Sequence, residues 1–303
     1  MNPFELTIIG SGSALPMRER HASSQYLHIA SRHILIDCAE GTQLRLQELK
    51  ISPMKLDTIL ISHLHGDHYY GLIGLINSMH LNGRTNPLKI YGPPELINIL
   101  NLMLKASDTH LRYPLHFHAL EPIDGQILDL DNHLRITSFR VKHRIPAWGF
   151  RFDEILGRKI NKDFIAAFQP IHEDLQHIQA GGNFTTAAGE VLSNETITHL
   201  AHPSRSYAYC TDTAYFEALI DRVFGVNLLY HEATFGKDMV DFAEQTFHST
   251  TVQAAEIALR AEVGKLLIGH FSSRYKNPEV LLDEAKTVFE STELALDDKK
   301  FLI

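Results

Sequence analysis

Two cysteines, Cys38 and Cys210, in a chain of 303 residues exclude a disulfide framework. Long apolar runs are missing as well: although 44% of the residues are hydrophobic, no stretch approaches the ~20 needed for a membrane-crossing helix. Met1 to Ile9 has neither a basic start nor a long apolar core, so Phe4 to Ile9 reads as an opening strand rather than a signal peptide. The Gly10-Ser11-Gly12-Ser13 turn that follows lacks the rest of a dinucleotide-binding fingerprint. No internal repeat and no low-complexity tract is present. Positive charge is in deficit, with 28 Lys and Arg against 36 Asp and Glu and a formal net charge of −8, so composition gives no support to non-specific attraction for a polyanion. These absences are those of a soluble, cytoplasmic protein with enough apolar residues for one large core.

Histidine is abundant, with 19 in the chain, and three fall with a carboxylate in Ser62-His63-Leu64-His65-Gly66-Asp67-His68. Imidazole and carboxylate at this density are ligands for zinc and neighbouring divalent metals. The apolar run Thr58-Ile59-Leu60-Ile61 precedes the cluster, and Leu72, Leu75, Ile76 and Met79 follow it at helical spacing. The ligands therefore sit where a strand hands over to a helix. Read as an extended loop, the segment would alternate its side chains, with His63 and His65 aimed one way and Asp67 another, so that it could serve two ions.

One loop cannot complete two coordination spheres, and the remaining candidates recur in a regular place. The alternating segment Arg135 to Lys142 ends at His143, and Tyr207-Ala208-Tyr209-Cys210 ends at Asp212. Leu228-Leu229-Tyr230 is followed by His231-Glu232, and Lys265-Leu266-Leu267-Ile268-Gly269 by His270. Each group lies just beyond the carboxyl end of an apolar run, where open α/β sheets carry their chemistry. Positions 63 to 270 span most of the chain, so a division into independent halves would split the site; 1-303 is read as a single domain. Ser23 to Ile29 and His33 to Ile36 read as a hairpin leading to Asp37, and Glu40 to Leu49 as a short helix using Leu44, Leu46 and Leu49. Leu88 to Tyr91 reads as a strand, and Glu95 to Lys105 as a helix with Leu96, Ile99, Leu100 and Met103 on one face. Thr250-Thr251-Val252-Gln253 has capping-box spacing and opens an Ala-rich helix through Glu262, next to His248. Pro278 to Val288 reads as another helix.

With these segments in view, the chain resembles the metallo-β-lactamase superfamily, through His63-Leu64-His65-Gly66-Asp67-His68 with Asp37, His143, Asp212 and His270. Within it the chain is similar to short-form ribonuclease Z, the endonuclease that trims the 3′ end of precursor tRNA. The narrower likeness rests on Asp37-Cys38-Ala39-Glu40-Gly41-Thr42-Gln43, His231-Glu232-Ala233-Thr234-Phe235, His248-Ser249-Thr250 with Gln253-Ala254-Ala255, and His270-Phe271-Ser272-Ser273-Arg274-Tyr275. It runs from about Leu6 to Tyr275. Two departures stand out. Where the family tends to carry Pro-x-Lys-x-Arg-Asn, a loop associated with placing the cut, this chain reads Pro16-Met17-Arg18-Glu19-Arg20-His21. The region expected to hold the family's protruding arm, 152-199, has Arg158-Lys159, Lys162, Gln169-Pro170 and Gly181-Gly182 but no Gly-Pro pair.

The resemblance implies an α/β fold, a metallo-β-lactamase-like four-layer αββα sandwich of two similar halves with an inserted arm. It implies a homodimer with precursor tRNA as partner, no membrane, and a zinc-dependent endoribonuclease that leaves a 3′-hydroxyl on the tRNA and a 5′-phosphate on the trailer. Two Zn²⁺ ions are expected as cofactor, other divalent metals being compatible with the same ligands. The first ion is assigned to His63, His65 and His143, the second to Asp67, His68 and His270, with Asp212 bridging. Asp67 is also expected to orient the attacking water and accept its proton; His248, held by Glu232, is the candidate general acid. Asp37 is expected to accept a ligand imidazole N–H in preference to coordinating a metal directly, and His231 either does similar work or packs beneath the loop. His116, His118, His172 and His177 are expected to be surface or structural. Arg18, Arg20, Lys142, Arg144, Arg274 and Lys276 lie beside site segments and offer positive charge to a phosphate or to solvent alone. The competing reading is a dimetal hydrolase of a small phosphodiester or thioester; a non-catalytic RNA-binding fold conflicts with the full ligand set.

Overall fold

Alternating apolar strands separated by amphipathic helices produce, in the computed structural model, two seven-stranded sheets packed face to face. The model describes residues 3–303 apart from residues 16, 19 and 201. The first sheet runs in the order Lys300–Leu302, Phe4–Gly10, Ser24–Ile29, Arg32–Ile36, Thr58–Leu60, Leu88–Gly92, Leu115–Ala119. The second runs Thr292–Leu294, Lys265–Gly269, Leu228–Glu232, Ser206–Cys210, Trp148–Glu154, Leu134–Arg140, Gln126–Leu130. Phe4, Leu6, Ile8 and Leu27 of one sheet meet Trp148, Phe150, Phe152, Tyr207, Tyr209 and Tyr230 of the other in a common core. Helices Leu72–Leu81 and Leu96–Ala106 cover the outer face of the first sheet, and Thr251–Arg260 and Glu279–Lys286 that of the second. This is the four-layer αββα sandwich that the resemblance implies.

The helical stripe Leu72, Leu75, Ile76 and Met79 is fully buried, each side chain contributing about 1.5–3 kcal/mol of transfer free energy. Two other helices are narrower than their periodicity suggests. Leu44 is exposed in the helix Thr42–Glu48, which buries only Leu46 among its apolar residues, and Met103 is exposed in Leu96–Ala106, which buries Leu96 and Leu100. Both helices lie at the periphery, where one contact stripe suffices. No helix among the described residues is long and apolar enough to cross a membrane.

Phe152 to Glu154, assigned to the arm from sequence, complete the strand Trp148–Glu154 of the second sheet; the excursion begins beyond them. It carries the small sheet of Arg158–Ile160 and Thr198–Leu200, helices Lys162–Phe168 and His172–Gln179, and a core of Phe164, Ile178 and Ile197 of its own.

One charged cluster ties the sheets together at their edge. Arg32 of the first sheet donates to Asp57 at 2.9 Å and reaches across to Asp129 at 2.8 Å and Asp131 at 2.7 Å, while Lys89 donates to Asp129 at 2.9 Å. Burial raises the carboxyl pKa of Asp129 and Asp131, but the bonds from Lys89 and Arg32 to Asp129, and from the His133 amide and Arg32 to Asp131, outweigh it and hold both low. Their stabilisation is therefore complete above the unfolded carboxylate value of ~3.9 and disappears as pH falls through the depressed folded values. The expected result is that Arg32→Met flattens the loss of Tm between mildly acidic and strongly acidic buffer; an unchanged slope in thermal melts would remove this cluster from the acid response.

Candidate metal centre

The strands Arg32–Ile36 and Thr58–Leu60 are parallel neighbours in one sheet, as are Ser206–Cys210, Leu228–Glu232 and Lys265–Gly269 in the other. Their carboxyl ends bring Asp37, the 62–68 segment, Asp212, Glu232 and His270 together at one end of the sandwich. Asp37, Asp212 and His270 each have positive φ (57°, 39° and 58°), a left-handed conformation that non-glycine residues rarely adopt, and each follows the carboxyl end of a strand.

The 62–68 segment is less extended than its pattern suggests. Asp67 and His68 lie in a helical turn, Gly66–Tyr69, with His65 as its extended N-cap. Divergence of the side chains thus comes from the step between extended and helical backbone, not from alternation along a strand.

Two clusters of ligand atoms result, and His248 lies close enough to Asp212 and His270 to form a third grouping with them. His63 Nε2 and His143 Nε2 each lie 3.1 Å from His65 Nδ1, and Asp212 Oδ2 lies 3.5 Å from His63 Nε2 and 3.6 Å from His143 Nε2. On the other side Asp212 Oδ1 lies 3.2 Å from both His68 Nε2 and His270 Nε2, and Asp67 Oδ2 is 3.5 and 3.6 Å from those nitrogens. Asp212 therefore presents one oxygen to each cluster. A tetrahedral ion with ~2.0–2.1 Å bonds to nitrogen places its ligands roughly 3.3 Å apart, close to these separations.

Two buried carboxylates fix the ring orientations, each in the same way. Asp37 accepts from His68 Nδ1 at 2.7 Å and from the Ser62 hydroxyl at 2.8 Å, as well as from the Ser62 amide and Tyr209 hydroxyl at 2.7 Å each. Having given its proton to Asp37, Ser62 Oγ accepts from His63 Nδ1 at 3.0 Å. Glu232 accepts from His248 Nδ1 at 2.7 Å and from the Thr234 hydroxyl at 2.6 Å, and Thr234 in turn accepts from His270 Nδ1 at 2.9 Å. Each carboxylate thus orients one imidazole directly and a second through a hydroxyl. His143 Nδ1 donates to the Phe247 carbonyl at 3.0 Å. These bonds, inferred from the network, leave Nε2 of His63, His68, His143 and His270 as acceptors facing the clusters.

The donors fit a divalent metal. His68 Nε2 and His270 Nε2 are buried with no hydrogen-bond partner among the described residues, a costly state unless an ion takes the lone pair. Burial pushes the imidazoles of His65 and His143 down to about 4, aided at His65 by the neighbouring rings, so both are neutral, as ligation requires. His68 is the opposite case: burial lowers it, but Asp212, Asp37 and Asp67 together hold it well above the ordinary histidine value. A cation in their midst would replace that proton.

His248 lies 5.4 Å from both His143 and His270 between ring centroids. Its loop is pinned by the Ser249 hydroxyl donating to the Thr213 carbonyl at 2.6 Å, and by the Thr250–Gln253 capping box that opens the next helix. His231 is buried, donates Nδ1 to the Glu232 carbonyl at 2.6 Å and belongs to none of the candidate ligand groups among the described residues. His116, His118, His172 and His177 are exposed. Thr234, Ser62 and Tyr209 received no role from sequence, since hydroxyls carry no motif of their own beside so many stronger ligands.

The clusters open into a cleft of about 660 Å³, walled by Ser13, Ala14 and Ala22 on one side and Tyr70, Arg144 and Phe235 elsewhere. Pro16 and Glu19 of the loop 16–21 lie outside the described residues, but its exit is anchored: Asp297 accepts from the Ser11 hydroxyl at 2.7 Å, the His21 amide at 2.9 Å and His21 Nδ1 at 2.8 Å. Of the cations noted beside the site, Arg144 lines the cleft, whereas Arg20 is buried and donates to the Tyr275 carbonyl at 2.5 Å.

An αββα sandwich with a shared carboxylate between two imidazole clusters defines a metal-dependent protein of the metallo-β-lactamase fold. Comparison narrows the class. The ribonuclease Z of Bacteroides thetaiotaomicron is 40% identical over 300 residues, covering 98% of this chain and 95% of that relative. A family model described as Anti-Pycsar protein Apyc1 matches residues 4–250. Among solved structures, human tRNase Z, short form, matches with a TM-score of 0.70 and 25% identity, covering 98% of each chain. The metallo-β-lactamase fold protein YhfI from Bacillus subtilis matches with a TM-score of 0.72 at 19% identity over 100% of each chain. The chain belongs to the ribonuclease Z family along nearly its whole length and, over residues 4–250, to the family that the Apyc1 model describes.

Proposed function

We propose that this protein is a tRNA 3′-processing endoribonuclease that uses two zinc ions to release the 3′ trailer from precursor tRNA. The observation that carries the reading is Asp212, whose two oxygens face two separate imidazole clusters, beside a histidine held by a buried glutamate, in a chain 40% identical to ribonuclease Z relatives. His63, His65 and His143 would hold the first ion and Asp67, His68 and His270 the second, with Asp212 shared. When bound, the two ions supply the positive charge that makes water acidic and a phosphodiester electrophilic.

The residues do the rest. Asp67 orients a water toward phosphorus and accepts its proton as the new P–O bond forms. Across the phosphorus the bond to the tRNA 3′ oxygen breaks, and His248 gives that oxygen its proton. The products are a tRNA 3′-hydroxyl and a trailer 5′-phosphate. Burial lowers the His248 pKa, but Glu232 outweighs it and pushes the ring up to about 9, so the acid is loaded at neutral pH. Glu232 itself is held down to about 2, because His248 overcomes the effect of its burial. We assign the excursion beyond Glu154 to RNA contact in a homodimer, with Lys159 and Lys162 as its cations unpaired among the described residues, whereas Arg158 is bound to Thr198 and the Glu195 carbonyl.

The test is metal content with a mapped cut. Purified protein should hold two equivalents of zinc, cut a precursor tRNA once to give a discrete trailer with a 5′-phosphate, and lose that activity to a chelator with recovery on zinc addition. Hydrolysis of a simple phosphodiester with an intact precursor would replace this reading by the small-substrate hydrolase.

A further inference from the structure

Tyr70 is 63% exposed, yet it lines the same cleft as the metal clusters. Its position follows from the helical turn Gly66–Tyr69 and the helical conformation of Tyr70 itself: Asp67 and Tyr70 are three residues apart, so their side chains share a face of the turn. The ring rests on the backbone of Gly66. A Cβ at position 66 would lie 2.2 Å from Tyr70 Cε2 and 2.5 Å from Cζ, so the glycine is what lets the ring lie there. Tyr69 braces it at 5.0 Å between centroids with a 65° interplanar angle. The result is an aromatic surface held in place on one side and open to the cleft on the other. No packing requirement accounts for it, since the stripe that holds the neighbouring helix to the sheet begins at Leu72.

A second feature lies in the same cleft. Arg144 Nη2 is 3.4 Å from His65 Nε2, and among the described residues no carboxylate pairs with this guanidinium. An open aromatic ring and an unneutralised cation in one cleft match a substrate in which a flat base alternates with phosphate, as in a single strand of RNA.

We propose that Tyr70 is a stacking platform for the nucleobase adjacent to the scissile phosphodiester and that Arg144 receives a neighbouring phosphate. This rests on the reading of the substrate as RNA. Stacking on an exposed tyrosine is indifferent to base identity, because every base has a π face, so the platform grips without imposing a sequence.

The experiment compares zinc-loaded wild type, Tyr70→Ala and Tyr70→Phe on a trailer-bearing precursor tRNA, and on versions with one abasic nucleotide on either side of the cut. KM should rise about tenfold in Tyr70→Ala with kcat changed less than about twofold, and Tyr70→Phe should restore it. The abasic precursor at the stacked position should cost the wild type the same factor and cost Tyr70→Ala nothing further. Binding of the same labelled precursors in a His248→Ala background, read by fluorescence anisotropy, gives the matching Kd values without dependence on turnover. A Kd insensitive to residue 70, or a tenfold penalty that persists on every abasic precursor, overturns the platform while leaving cleavage standing. If the Kd responds as expected but no trailer is released, the platform stands and the proposed endonuclease fails. Absence of RNA binding by wild type and variant alike overturns both.

Discussion

Asp67→Ala lowers kcat/KM on precursor tRNA by more than about 10³-fold and leaves the protein with less than its full complement of metal. Two losses combine in that result. Asp67 Oδ2 stands between His68 Nε2 at 3.5 Å and His270 Nε2 at 3.6 Å, so its removal would open the second proposed coordination sphere. In the proposed mechanism the same carboxylate accepts the proton of the attacking water. Its pKa is held far below the usual carboxylate range: burial raises it, but His68 and His270 prevail, so it is ionised at any working pH, as a metal ligand must be. Folding should survive, because the residue lies in a single turn at the cleft and no apolar core depends on it. Zinc per chain, thermal melts and initial rates on one preparation check the prediction together. Wild-type turnover with both ions retained would remove Asp67 from the mechanism.

Much of this was legible in the residues, for a physical reason. A strand must stop where its apolar pattern stops, so the carboxyl end of each buried run marks the place where polar groups can converge; Asp212 and His270 are found by that rule without any motif. The helical stripe from Leu72 to Met79 likewise declares its face, because all four side chains vanish into the core. What could not be read was orientation. Asp67 and His68 belong to a turn of helix where alternation suggested an extended loop, since four residues are too few for periodicity to separate the two. Nor does sequence reveal that the hydroxyls of Ser62 and Thr234 pass the hold of Asp37 and Glu232 on to His63 and His270, because such relays join residues by hydrogen bonds that leave no spacing behind. The boundary of the excursion slipped for a related reason. Phe152 is apolar and aromatic, like any core strand residue, and only its pairing with Tyr207 and Ile136 places it inside the second sheet.

His248→Ala is expected to slow the chemical step by about 10²- to 10⁴-fold, the ordinary contribution of a general acid, while KM and metal content stay near their wild-type values. The distinction from Asp67 follows from geometry: His248 is tied to Glu232 and the 213 loop and, although it lies close to Asp212 and His270, it is not among the ligands proposed for either ion. Glu232 supplies the sharper test. Its carboxylate raises the His248 pKa, so the loaded acid persists to high pH; an acid must be protonated to act, and activity declines as pH rises through that value. Glu232→Gln keeps the shape and removes the charge, so the alkaline limb of the kcat profile should move to lower pH relative to wild type, whereas a merely structural role for Glu232 would lower the whole profile without moving it. Glu232 also receives the Thr213 amide at 2.9 Å and the Thr234 hydroxyl, so the glutamine, which can still accept through its carbonyl, is the variant to measure, with alanine as the harsher control. Substrates whose leaving group needs no proton complete the argument. On a p-nitrophenyl phosphodiester, whose phenolate departs unaided, His248→Ala should recover most of the lost rate, and an equal loss on both substrates would show that His248 is not the acid.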